Sequence, residues 1–327
     1  MRFLFFVIVA LTLLVGGGAH LWVNHPFDLS TPTVDLSIEP GNSGRDVADA
    51  VAAAGVPVNA TLLYAWFRLS GQSRLMRAGS YELDRTTTPR NLLQKLVRGE
   101  EALRSVTLVE GWTFNQVREA LAKAEQLKPA SQGLAPSDIM NQLGKPGIPA
   151  EGRFFPDTYT YSKGSDDLAV LRRAVNAMDK RLDAAWAMRD PKSPLKSAQE
   201  ALVLASIVEK ETGSPKDRTH IAAVFSNRLQ IGMRLQTDPT VIYGMGVAFD
   251  GNLRKKDLLT DTPWNTYTRT GLPPTPISMP GKASLLAAVQ PAPSRALYFV
   301  ARGDGSSQFS NTLDEHNRAV NKYQRGQ

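Results

Sequence analysis

An α+β fold, arranged as two modest domains behind an N-terminal apolar helix, is what this chain of 327 residues predicts. Three observations lead to it. Phe3 to Val23 run without a single Lys, Arg, Asp or Glu. From about residue 34 to 125, short strand patterns alternate with helical spacing, which suits a small mixed module. Beyond residue 150, strongly apolar helices give way to a Pro- and Gly-rich region with short strand signals. That pattern suits a larger α+β domain with irregular loops of the kind that line clefts. A hydrophobic content of 42% with five Trp is ample for two cores.

The first segment, residues 1–23, is long enough to cross a hydrocarbon layer of about 30 Å at about 1.5 Å per residue. A cleaved signal peptide is the competing reading. The apolar run exceeds the usual h-region, and Gly16-Gly17-Gly18-Ala19 is a poor small-x-small site with Trp22 close behind, so a retained transmembrane anchor is expected. Arg2 is the only charge before the span, which puts the N-terminus in the cytoplasm and the bulk of the chain on the other side. Residues 24–33, with Pro26 and Pro32, read as a linker.

Residues 34–125 form the small module, read as three similar strand–turn–helix units. In the first, Leu36 and Ile38 alternate, Pro40-Gly41-Asn42 turns, and Val47, Val51 and Ala54 have helical spacing. In the second, Thr88 caps a helix that starts at Pro89 and stops at Gly99. The third runs from Ser105 to Ala124 with Glu110-Gly111 as its turn, and Leu62 to Phe67 add a buried helix. Residues 126–150, rich in Gly and Pro, are the expected inter-domain loop.

Residues 151–327 form the larger domain. Leu168, Leu171, Val175, Met178, Leu182 and Ala185 follow steps of three and four, a core-facing helical stripe. Next comes Leu202-Val-Leu-Ala-Ser-Ile-Val-Glu-Lys-Glu-Thr-Gly213, with Ser197 and Glu200 as a capping box and Gly213 as the stop. Leu204, Ile207 or Val208, and Glu211 share one face of this helix, whereas Glu209 points elsewhere. On this phase Glu211 would be desolvated, stay protonated near neutral pH and serve as a general acid, although periodicity alone favours a plain solvated Glu-Lys-Glu helix end. A helix from Ile221 to Gln230 and a strand over Leu297 to Val300 complete the reading.

Several chemistries are excluded or unsupported. With no cysteine, the chain has no thiol nucleophile, disulfide, thiolate metal site or lipidated Cys. Its four His show no i, i+4 pair, so no metal site is expected, and no cofactor signature is present. Gly41-Asn42-Ser43-Gly44 lacks the Lys-Ser/Thr of a phosphate loop, and no G-x-S-x-G elbow occurs. The net charge of +7 comes from scattered Lys and Arg without interleaved aromatics, so nucleic acid is not an expected partner.

Four motifs occur in order: Glu209-Lys-Glu-Thr212, Leu235-Gln-Thr-Asp-Pro-Thr-Val-Ile-Tyr-Gly244, Asn265-Thr266-Tyr267 and Gly271-Leu-Pro-Pro274. With them the chain resembles the endolytic murein transglycosylases, the MltG (YceG-like) family, from the N-terminal apolar segment to about Asn317. Glu151-Gly-Arg-Phe-Phe-Pro-Asp-Thr-Tyr159 is a further similar segment, whose aromatic density suits either core packing or a cleft wall, with packing preferred. The resemblance implies non-hydrolytic cleavage of nascent peptidoglycan between N-acetylmuramic acid and N-acetylglucosamine, with Glu211 as the catalytic residue. It also implies a LysM-like character for the small module, a single-pass protein of the cytoplasmic (inner) membrane with its catalytic domain in the periplasm, and association with wall-synthesis proteins.

A glycoside hydrolase normally needs two carboxyl groups, about 5–5.5 Å apart when retaining and about 6.5–9.5 Å when inverting. Glu209, about 200° around the helix from Glu211, is badly placed as that partner. A lytic transglycosylase needs only one. The acid protonates the glycosidic oxygen, and the resulting carboxylate then takes the proton from the sugar's own C6 hydroxyl as a 1,6-anhydro ring closes. Asp238 is the rival second carboxylate, in which case the chain would be a muramidase, unless it only caps a turn. Gln236, Asn227 and Asn265 suit sugar hydroxyls and N-acetyl groups, and Tyr243 and Tyr267 suit pyranose faces. Glu209 is carried as a further cleft residue. A non-catalytic wall-binding tether is the alternative outside enzymology.

Overall fold

The computed structural model describes residues Arg2–Glu211 and Gly213–Gly326; Thr212 of the E-K-E-T motif lies outside them. Its elements run α1 (Arg2–Asn24), β1 (Thr33–Ile38), α2 (Gly44–Ala53), α3 (Ala60–Leu69), β2 (Gly79–Asp84), α4 (Pro89–Arg98), β3 (Leu103–Thr107), α5 (Phe114–Lys123), α6 (Pro136–Gln142) and β4 (Thr158–Ser162). They continue as α7 (Asp167–Ala187), α8 (Ala198–Glu211), α9 (Arg218–Gln230), α10 (Asp238–Met245), α11 (Lys255–Leu259), α12 (Lys282–Val289), β5 (Tyr298–Ala301), β6 (Ser307–Ser310) and α13 (Leu313–Gln324). The strands pair as three ribbons, β1 with β2, β3 with β4 and β5 with β6. The mixed α+β character agrees with the sequence.

The chain divides into two compact units, Met1–Arg104 with Thr160–Ser165, and Ser105–Tyr159 with Asp166–Gln327. In the first unit, α1 contains one stretch, Phe5–Asn24, long and apolar enough to cross a membrane, with mean hydropathy 2.0. Leu11, Leu13, Leu14 and Leu21 are all exposed along it. Outside α1, the order is β1-α2-α3-β2, with β1 and β2 antiparallel and Leu36 opposite Tyr81. The two strands thus close one ribbon around a pair of helices, in place of the expected succession of similar units. Leu36, Ile38, Val47, Val51, Leu63, Phe67, Tyr81 and Leu83 form its core. Local signals explain the helix ends. Ser43 and Asp46 form a capping box at α2, Thr88 caps α4 with Pro89 at its start, and Gly99 closes α4 at φ 68°.

The second unit takes in residues 105–125, expected in the small module, and the Gly/Pro-rich segment 126–150, expected as the loop between domains. Phe114 of α5 stacks on Phe154 at 5.0 Å between ring centroids. Ser131 donates its N–H and hydroxyl to the buried Asp167 carboxylate at 2.9 and 2.6 Å, and Lys145 pairs with Asp179 of α7 at 2.7 Å. Buried polar pairing therefore binds the 126–150 segment to α7, which composition could not reveal.

At the centre lies α8, packed against α7, α9, α10 and α12. Every residue from Ala201 to Val208 is buried, so the helix is apolar all round and not a one-sided stripe. Its start departs slightly from the expected box: Ser197 Oγ accepts the Glu200 N–H, but the Glu200 carboxylate takes the N–H of Lys196. Ser206 fixes its far end, accepting the Ile277 N–H at 3.0 Å, while its carbonyl accepts the Ser278 hydroxyl. With the helix anchored on all sides, the carboxylates at its C-terminal end occupy defined positions.

Candidate active site

Glu211 ends α8 on the wall of a cavity of about 690 Å³ in the second unit, shared with Arg228, Gln236, Asp238, Tyr267, Tyr298 and His316. The Thr237 hydroxyl donates to Glu211 Oε1. Desolvation raises the Glu211 pKa, the nearby Asp238 charge adds to the rise, and the Thr237 bond and the Arg228 charge oppose it. The carboxyl is thus biased toward its protonated form, with the Thr237 hydroxyl bonded to it and the Arg228 charge favouring the anion once the proton leaves.

Two of the sequence motifs build this wall together. Thr237, Thr240 and Thr266 are buried, with Thr237 N–H on Thr266 Oγ1 at 3.1 Å, Thr240 Oγ1 on the Thr237 carbonyl at 2.7 Å and the Thr240 and Thr266 hydroxyls 2.8 Å apart. Gln236 N–H bonds the Thr266 carbonyl, and its backbone sits at φ 49°. A left-handed non-glycine residue costs on the order of 1–3 kcal/mol, and here it lies on the cavity wall. Asp238 is the first residue of α10, and the Tyr267 hydroxyl donates to its Oδ1 at 2.5 Å.

Four of the expected residues, Glu211, Gln236, Asp238 and Tyr267, therefore meet in one cavity; the others lie elsewhere. Asn227 spends its amide on the Ser294 and Ala296 carbonyls at 3.0 and 2.9 Å. Asn265, fully buried, donates to the Leu258 and Thr260 carbonyls at 3.1 and 2.7 Å and accepts the Tyr267 N–H at 2.8 Å. Glu209 accepts the Gly281 N–H at 2.8 Å, at the start of α12. Tyr243 donates its hydroxyl to Glu151 at 3.1 Å and lines a second cavity.

Three cavity residues went unread in the sequence. Arg228, 8% exposed, is fixed by the Leu297 carbonyl on Nε at 2.7 Å and the Leu235 carbonyl on Nη1 at 2.5 Å, with the Tyr298 ring beneath it. Tyr298 stacks on His316 at 5.2 Å. Burial, then the Arg228 charge, lowers the His316 pKa, and its Nδ1 is buried without a hydrogen-bond partner among the described residues. The Asn227-Arg228 pair preceding the L-Q-T-D-P-T motif was the available signal for Arg228. Tyr298 and His316 carried none.

Glu151 was also missed as a titrating group. Burial pushes its carboxyl up to about 7, against the N–H groups of Phe114 and Gly152 and the Tyr243 hydroxyl. Gly152 makes the approach possible: at φ 78° a Cβ there would lie 2.4 Å from Pro276. A folded pKa of about 7 against 4.5 means that the native state binds more protons than the unfolded chain between those values. Stability from this group is present below the unfolded pKa and falls by up to about 3 kcal/mol as pH rises through about 7. Glu151→Gln should flatten that part of the pH profile, read as the denaturant midpoint between pH 4.5 and 8. An unchanged slope would remove Glu151 as its source.

Comparisons with known proteins match this chain over most of its length. Residues 36–322 match the model of the YceG-like family. An endolytic murein transglycosylase of Bacillus subtilis (strain 168) is 33% identical over 337 aligned positions, covering 95% of this chain and 91% of that protein. One from Streptococcus pneumoniae serotype 2 (strain D39) is 27% identical over 320 positions, covering 88% of this chain and 58% of that protein. A crystal structure of a YceG-like protein from Listeria monocytogenes is similar with a TM-score of 0.55 and 29% identity, covering 88% of this chain and 99% of that one.

Proposed function

The chain belongs to the YceG-like family, and from that premise we propose that it is an endolytic murein transglycosylase that cuts glycan strands non-hydrolytically, with Glu211 as acid and then base. The carrying observation is the desolvated Glu211 carboxyl on a cavity wall between the Thr237 hydroxyl and the Arg228 charge. In this reading the protonated carboxyl gives its proton to the glycosidic oxygen between N-acetylmuramic acid and N-acetylglucosamine. Thr237 and Arg228 stabilise the carboxylate left behind. That carboxylate takes the C6 hydroxyl proton while the oxygen attacks C1 of its own ring, which closes the 1,6-anhydro product without water. Gln236, Tyr267, Tyr298 and the ring of His316 line the cavity and are the groups available to the sugar.

Asp238 on the same wall supports a second reading, a muramidase with Asp238 as the other carboxylate. The products separate the two. Full-length protein in detergent, given purified glycan strands, should release fragments with 1,6-anhydro ends by mass spectrometry. Reducing ends alone would favour hydrolysis, and strand binding without any cleavage would favour a tether.

The rest of the reading follows the same family premise. The apolar, exposed α1 supports a membrane anchor, with Arg2 on the cytoplasmic side and the chain beyond α1 in the periplasm. The antiparallel β1–β2 ribbon around α2 and α3 supports a LysM-like module for N-acetylated sugars. Wall-synthesis proteins are the partners this placement favours.

A further inference from the structure

A second cavity in the same unit, of about 470 Å³, has Glu151 and Tyr243 on its wall together with the rings of Phe114 and Trp264. Among the described residues no Lys, Arg or His lines it. The Glu151 carboxylate accepts the Phe114 N–H at 3.0 and 3.2 Å and the Tyr243 hydroxyl at 3.1 Å, so backbone and phenol hold it in place but supply no positive charge. Tyr243 and Trp264 pack edge to face at 5.5 Å, and Trp264 Nε1 is already used by the Thr275 hydroxyl at 2.9 Å. A desolvated carboxylate beside aromatic rings, with its hydrogen-bond donors all neutral, is complementary to a cation.

The position of the cavity bears on what brings that cation. Helix α10 carries Asp238 at its first residue, on the Glu211 cavity, and Tyr243 five residues on, at this one. That is about 8 Å along the helix axis and about 140° around it, so the part of a substrate that would bridge them is one that passes round the helix, such as a peptide stem branching from the strand. We propose that the Glu151 cavity is a subsite for a primary ammonium on the substrate, specifically the free side-chain amine of the diamino acid in a murein peptide stem. The inference rests on the murein reading above. The ammonium sits against the Glu151 carboxylate and the aromatic wall, so the enzyme favours strands whose stems are not yet cross-linked through that amine. Without a ligand, burial holds the carboxyl up to about 7, and a bound cation would favour its charged form.

The test compares glycan strands with free stem amines against the same strands with those amines acetylated. For the unaltered protein, acetylation should raise KM about tenfold with little change in kcat. For Glu151→Gln, which keeps an acceptor for the Phe114 N–H, acetylation should change KM by less than twofold. A merely structural Glu151 would alter both strands alike, and equal KM ratios in the two proteins would overturn the inference. If Glu151→Gln does not fold, pH replaces it in the unaltered protein. The KM ratio of acetylated to free strands should be large at pH 8 and close to one at pH 5.5, since among the described residues Tyr243 is the only other titratable side chain on the wall and burial pushes its phenol up. A ratio independent of pH would overturn the inference. If no strand is cleaved, the transglycosylase reading fails by itself, and the same comparison is made on equilibrium Kd. A tenfold weaker Kd on acetylation, lost in Glu151→Gln, supports the subsite, and equal Kd values reject it.

Discussion

Glu211→Gln is expected to lower the rate of strand cleavage by on the order of 10²–10⁴-fold, the usual contribution of a general acid, with little change in melting temperature. The substitution keeps the shape and an acceptor for the Thr237 hydroxyl while removing the proton that the leaving oxygen needs. Because burial raises the Glu211 pKa, the acid form persists to higher pH than for a solvated carboxyl, and the rate should fall as pH rises through that elevated value. Glu209→Gln is the internal control. Glu209 holds the Gly281 N–H at the start of α12 and lies off the Glu211 cavity, so its amide variant should retain clearly more activity. The measurement is initial rate on one strand preparation for both folded variants. If Glu209→Gln were the more damaged, the assignment of the acid to Glu211 would be wrong.

The parts of this molecule that sequence reasoning reached are those encoded within a few residues. The Thr88, Pro89 and Gly99 ends of α4 are local backbone chemistry and could be read in place. The Leu202–Val208 run was clearly helical, but choosing one stripe in it ignored that its other faces were apolar too, the mark of a helix buried all round. What escaped depends on distant partners. Leu36 opposite Tyr81 closes a ribbon across two helices, and Ser131 on Asp167 ties a loop to α7. Glu151 draws its environment from α5, α10 and the Pro276 loop, so nothing near it in sequence marked it as a titrating carboxyl. The amides were ambiguous for another reason. An Asn offers the same donors and acceptor to a sugar or to the backbone, and only the surrounding geometry decides which.

Asn265 makes that distinction measurable. Its amide nitrogen satisfies the Leu258 and Thr260 carbonyls and its oxygen satisfies the Tyr267 N–H, so one fully buried side chain folds residues 258–267 back on themselves. The adjacent Thr266 and Tyr267 are the residues that hold Thr237 and Asp238 in the Glu211 cavity. Asn265→Ala strips three backbone groups of their partner at once. At about 1–3 kcal/mol for each group left buried and unsatisfied, with partial relief from water, the loss should total about 2–4 kcal/mol. In a unit of this size that lowers the melting temperature by roughly 10 °C. Asn265→Asp is the sharper variant. At neutral pH it keeps an acceptor for Tyr267 but sets a buried carboxylate against two carbonyl oxygens, so it should be at least as unstable as the alanine variant. Facing those carbonyls, its folded pKa is raised. Stability should therefore return as pH falls, because the protonated carboxyl regains a donor. A residue that served mainly to bind sugar would behave the other way, with KM rising and the melting temperature unchanged in both variants. Calorimetry at pH 5 and pH 7.5, run beside KM measurements, discriminates the two roles directly.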